Sequence, residues 1–147
     1  MARYAPYGGL ARQSCIDTVA KPQIAKLAKL ADLLPASITE LEGTINQVFA
    51  RMAALKKEGL VYATEYWRKD GDGTPKYCYL LYAQQPGTPR RREYIGCDTD
   101  RIEEARAGIA RAKTYDALAA RMNGLRRRID YAAAAMTEAL RHLKPGR

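Results

Sequence analysis

Side chains able to do covalent or metal chemistry are few in this 147-residue sequence, and none is grouped for it. Cys15, Cys78 and Cys97 form no C-x-x-C pair, and the one histidine, His142, lies near the end of the chain. No zinc site can be written at usual ligand spacing. Scattered thiols suit a reducing cytoplasm, with buried packing as the expected role of each. There is no Ser/His/Asp candidate, no phosphate loop and no carboxylate pair in an apolar setting, and Gly71-Asp72-Gly73 reads as a turn. The expectation is therefore a protein that is not an enzyme and needs no cofactor and no metal.

Non-covalent recognition remains. Thr44, Asn46, Gln47, Ala50 and Arg51 fall within eight consecutive positions. Asn and Gln can pair bidentately with adenine and Arg with guanine, while an alanine methyl can touch thymine. Lys56 and Lys57 follow as candidate phosphate contacts. Arg68, Lys69 and Lys76 flank a polar, glycine-rich turn and can reach the backbone or a neighbouring minor groove.

The composition supports an acidic partner. With 25 Lys+Arg against 16 Asp+Glu the formal charge is +9, which favours a polyanion, above all nucleic acid. The 47% apolar and 28% charged content is that of a folded domain rather than a disordered chain. The N-terminal stretch MARYAPYGGLARQSC has no apolar core of a leader, and no run approaches a membrane span. A cytoplasmic protein without membrane contact is expected.

Residues 1–20 read as an arm, disordered by default, in which Arg3 and Arg12 could touch phosphate. From Pro22 to Leu34 the period is helical: Ile24, Leu27, Ala28, Ala31 and Leu34 share a face, and Pro35 ends the segment. Ser37-Ile38-Thr39-Glu40 is a capping-box pattern with a stop at Gly43, and Thr44-Ile45-Asn46-Gln47 is a second, opening a helix to Glu58. Ile45, Val48, Met52 and Leu55 should face the core. After Gly59 the period changes to two. Leu60–Trp67 and Lys76–Tyr82 read as strands, with a third possible at Glu93–Ile95 after Arg90-Arg91-Arg92. The tyrosines and tryptophan of these strands suit core and sheet packing, or a stacking platform for single strands.

Helix, short helix, turn, longer helix and basic hairpin, in that order over residues 22–83, resemble the winged helix-turn-helix domains of the MarR and ArsR families. The sharpest part is Val48 to Val61, VFARMAALKKEGLV, with the spacing of a recognition helix and its exit into the wing. The resemblance implies double-stranded DNA binding by a dimeric regulator. Tyr77 to Ile95 also resembles a short motif of small proteins on plasmids and other mobile elements: a Tyr-x-Tyr-Leu-x-Tyr strand, a glycine turn and an Arg-rich strand ending in Tyr-Ile. Two other functions fit the same scaffold: an inhibitor module that binds protein, and a binder of nucleic acid without sequence preference.

Asp98-Thr99-Asp100 caps a helical stretch with no proline before Pro145. From Leu118 its apolar positions form a heptad seam, and Leu118, Met122, Leu125, Ile129 and Met136 are the candidate homodimer contacts. Straight, this helix spans roughly 65 Å; a hairpin broken near Tyr115 or Gly124 is the alternative. Arg126-Arg127-Arg128 reads as a solvated face or a further phosphate surface. The expected architecture is mainly α with a small β-wing. The arm (1–20) precedes the winged helix-turn-helix (21–97), and a long coiled-coil-like helix or helical hairpin (98–144) follows.

Overall fold

The computed structural model describes residues 8–146, with side chains from Ala20 onward. Its elements run α1 (Gly8–Glu58), β1 (Ala63–Lys69), β2 (Pro75–Tyr82), β3 (Arg92–Gly96) and α2 (Thr99–Leu143). The protein is thus mainly helical, with a small antiparallel sheet and a long C-terminal helix. The chain divides into two units, Met1–Thr44 and Ile45–Arg147.

Residues 22–58, where the sequence predicts three helices separated by turns, lie in one helix with Pro22 and Pro35 inside it. The predicted helix-turn-helix breaks are absent, and residues 8–20 of the expected arm belong to the same helix. Arg3 lies outside the described residues, as do the side chains of Arg12 and Cys15. The local reason is in the hydroxyls. Thr44 does not cap but donates to the Glu40 carbonyl four residues back at 3.1 Å; at the first pattern Ser37 lies inside the helix, and its neighbour Thr39 donates likewise to the Pro35 carbonyl at 3.0 Å. That bond is compatible with a continuing helix, and the Ala, Leu, Lys and Glu around it are strong helix formers. The helix ends where predicted. Gly59 adopts φ +106° and donates to the Leu55 carbonyl at 3.2 Å, the left-handed stop that glycine makes without strain.

The next residues cross α2 at close range. Val61 donates from its amide to the Gly108 carbonyl at 3.1 Å, and Arg111 donates to the Gly59 carbonyl at 2.7 Å. Gly108 is buried, and a Cβ there would lie 2.5 Å from Val61 Cγ2, so the crossing requires glycine.

The sheet is a meander in the order β1-β2-β3. Opposed pairs Ala63–Tyr82, Glu65–Leu80 and Trp67–Cys78 fall on one face; Thr64–Leu81, Tyr66–Tyr79 and Arg68–Tyr77 fall on the other. On β3 a register shift between Cys78 and Tyr79 leaves Tyr94 opposite Tyr79 and Gly96 opposite Cys78. The first face packs on α2 through Cys78, Leu80, Ile95, Ile102 and Ala105, with Trp67, Tyr82 and Ile109 at the margin. A second buried set is helical: Val48 and Leu55 on α1, and Ala112, Met122 and Leu125 on α2. Ile45 and Met52 are half-buried, as their spacing predicts.

The C-terminal helix begins at its predicted cap, where Asp98 Oδ1 accepts from the Asp100 amide at 3.1 Å. It runs unbroken to Leu143, so neither Tyr115 nor Gly124 interrupts it and the helical hairpin is excluded. Gly124 has open space where a Cβ would be. Nothing there forces a bend.

Candidate nucleic-acid interface

The two groups of predicted DNA contacts meet different fates. On α1, Asn46, Gln47, Ala50, Arg51, Lys56 and Lys57 are all exposed, and Thr44 is half-buried with its hydroxyl turned back to Glu40. A recognition helix reads bases with its N-terminal half. These residues instead occupy the C-terminal third of a 51-residue helix, so no helix N-terminus presents them.

The hairpin group is assembled as a surface. Asp70 folds the turn: its Oδ1 accepts from the amides of Asp72 and Thr74 at 3.0 and 3.1 Å, and Gly73 adopts φ +80°. Arg68, Lys69 and Lys76 are exposed beside it. Arg68 stands on the sheet face away from α2, and Lys76 lies over the Tyr77 ring, 5.7 Å from its centroid.

That open face carries an arrangement of which the sequence announces only a part. Tyr66, Tyr79 and Tyr94 form a row across all three strands, one residue from each. Their ring centroids are 6.4 and 5.1 Å apart, with planes tilted by 55°. Tyr66 and Tyr94 are half exposed, at 49% and 51%. Arg92, paired with Leu81, belongs to the same face at the opposite edge from Arg68. Alternation in β1 and β2 announces the first two tyrosines. The third strand is five residues long beside a register shift, too short a pattern to assign Arg92 and Tyr94 to a face.

The covered face fixes the platform. Glu65 accepts from the Arg106 guanidinium in a two-pronged contact of 2.7 and 3.1 Å, and from Trp67 Nε1 at 2.8 Å. The Arg106 bond holds the Glu65 carboxyl below its ordinary pKa, against an opposing effect of desolvation, and ties β1 to α2. At the other end, Tyr82 donates its hydroxyl to Glu93 at 2.7 Å, which raises the phenol pKa. The Arg91 guanidinium stacks 4.6 Å from the Tyr82 ring, and Arg90 donates to the Tyr82 carbonyl at 2.9 Å. Tyr62 reaches Asp116 at 2.9 Å. Lys69 and Lys76 therefore lie at one end of the sheet and Arg90 and Arg91 at the other, all exposed.

The predicted dimer seam is divided. Met122 and Leu125 are buried within the chain and Leu118 is half-buried, whereas Ile129 and Met136 are exposed, at 39% and 36%. Arg126, Arg127 and Arg128 are exposed. Cys78 is buried, which raises its thiol pKa, but Cys97 is exposed, contrary to the packing role expected of it. Among the described residues no group of three His, Cys, Asp or Glu could hold a metal, and no helix is long and apolar enough to cross a membrane. Compared with known proteins, the chain matches no family model, no curated protein and no solved structure.

Proposed function

We propose that this protein binds double-stranded DNA through the open face of its sheet, as a regulator or an accessory protein rather than an enzyme. The two-helix reader of winged domains has no counterpart in α1, so the reading element moves from helix to sheet. The observation that carries this is the row Tyr66–Tyr79–Tyr94 flanked by Arg68 and Arg92 on a solvent-facing surface. Three strands at about 4.8 Å spacing place the outer two about 10 Å apart. That width suits a major groove about 12 Å across, where strands as well as helices read base edges. Arginine and tyrosine hydroxyl donors then face the bases, and Lys69, Lys76, Arg90 and Arg91 lie at the ends of the platform for phosphate.

The half-exposed tyrosine rings favour one other reading, stacking of single-stranded bases. Binding of a labelled duplex, challenged by either single strand of the same sequence across a salt series, separates the two. Duplex DNA should compete best, and Lys69→Ala with Lys76→Ala should reduce the salt slope by about one unit per lost phosphate contact. Better competition by single strands supports stacking. Absence of binding to both rejects the proposal. Retention on DNA from upstream of its own gene, against random competitor, marks the regulator.

A further inference from the structure

In the first unit, residues 20–44 of α1 form a helix in which Ile24, Leu27, Ala31, Leu34, Ile38 and Leu41 alternate in steps of three and four, while the exposed Leu30 and Leu33 lie outside the series at g and c positions. That is a heptad seam. Four of these side chains are exposed, Ile24 at 63%, Leu27 at 46%, Leu34 at 38% and Ile38 at 51%. We propose that residues 20–44 pair antiparallel with the same segment of a second copy of this chain.

Two properties of the seam select that occupant. First, it is symmetric about its own midpoint. Reversing the helix superposes Ile24 on Leu41, Leu27 on Ile38 and Ala31 on Leu34, so every layer joins an a position to a d position, as an antiparallel two-fold pair requires. The central layer brings Ala31 against Leu34 of the other copy, a small residue against a large one. Second, the charges are asymmetric in the matching sense. Lys21, Lys26 and Lys29 stand toward one end and Glu40 and Glu42 toward the other. Antiparallel self-pairing sets the basic end of each helix against the acidic end of its mate, with Lys21 and Glu42 on facing e positions. Parallel pairing leaves Lys21 and Glu42 without that complement. The exposed end of α2 is a poorer occupant, because its Glu138 already pairs with Arg141 and His142 at 3.0 and 3.1 Å. Pro35 falls at an e position and leaves the layers intact.

The inference is independent of what the sheet binds. Two measurements test it on the full chain, with helical circular dichroism reporting that each variant is folded. In a Cys15→Ser, Cys97→Ser background, chains carrying Leu27→Cys are mixed with chains carrying Ile38→Cys under mild oxidation. The mixed disulfide should outpace either homodimer; faster Leu27→Cys homodimers would mean parallel pairing and overturn the proposal. Sedimentation equilibrium supplies the second test. Lys21→Glu and Glu42→Lys should each weaken the dimer by roughly five- to tenfold, since each repulsion occurs twice, and the double variant should restore it. A wild-type monomer at tens of micromolar, or a double variant no tighter than the singles, refutes the pairing.

Discussion

Gly108→Ala tests whether the crossing of residues 59–62 over α2 organises the second unit. An added methyl would lie 2.5 Å from Val61 Cγ2 and 3.1 Å from Val61 Cβ. Valine is branched at Cβ and has little rotamer freedom with which to escape. Its amide is also bonded to the Gly108 carbonyl, so retreat of the backbone sacrifices that bond. Overpacking of this kind costs about 1–3 kcal/mol, and a lost backbone bond about 1 kcal/mol. Against these stands about 1 kcal/mol gained by replacing glycine with alanine in a helix. The balance is a destabilisation of about 1–3 kcal/mol. Gly124→Ala supplies the internal comparison. It lies on the same helix with nothing within 4 Å of its Cβ position, and should stabilise by about 0.5–1 kcal/mol. Urea unfolding followed through half-buried Trp67 measures both. Val61→Ala combined with Gly108→Ala should recover most of the loss relative to Val61→Ala alone. If Gly108→Ala proves as stable as Gly124→Ala, the close approach is not a constraint and the reasoning fails.

Replacing Glu65 by Gln should destabilise at neutral pH and flatten the acid limb. The carboxyl is held below its ordinary pKa chiefly by Arg106, so its contribution is present above the unfolded pKa and is lost as pH falls through the folded one. Urea midpoints between about pH 5 and pH 3 should therefore fall less in the variant than in the wild type. Gln47→Ala and Arg51→Ala should leave both stability and DNA affinity nearly unchanged. A loss of about 1–3 kcal/mol in specific binding would return the reader to α1. Asp98→Ala removes the cap on α2 and should cost about 1 kcal/mol, read from the thermal midpoint.

The elements with one dominant local signal were legible in the residues. The change of period after Gly59 located the strands to within three residues at each end, and Asp98 marked the start of α2. The turn chemistry at Asp70–Gly73 was likewise readable, because a side chain bonding to amides two and four residues on is a local event. α1 was not legible, because Ser37–Glu40 and Thr44–Gln47 have two local solutions. The Thr44 hydroxyl shows the ambiguity: it can cap a new helix or, as it does, bond back within an existing one. Gly43 and Pro35 tilted the reading toward breaks. The nucleic-acid surface is half legible: Arg68, Lys69 and Lys76 stand out beside a polar turn, but Tyr94 and Arg92 acquire their face from a register shift in the pairing of β3 with β2. Whether Met122 and Leu125 meet their own chain or another could not be read from a heptad, which fixes the stripe and not its occupant.

The meander also dictates an order of assembly. β1 pairs with β2, β2 with β3, and both outer strands touch α2, so the core closes with loops no longer than the hairpins and the crossing itself. Contacts so near in sequence form early and fast. The sheet and the first turns of α2 can therefore act as a nucleus, which removes the unfavourable first turn that an isolated helix must make. Both long helices then elongate outward from it, α1 toward its N-terminus and α2 toward its C-terminus. Amide exchange should be slowest at Leu80 and Ile102 and quicken along each helix with distance from the nucleus.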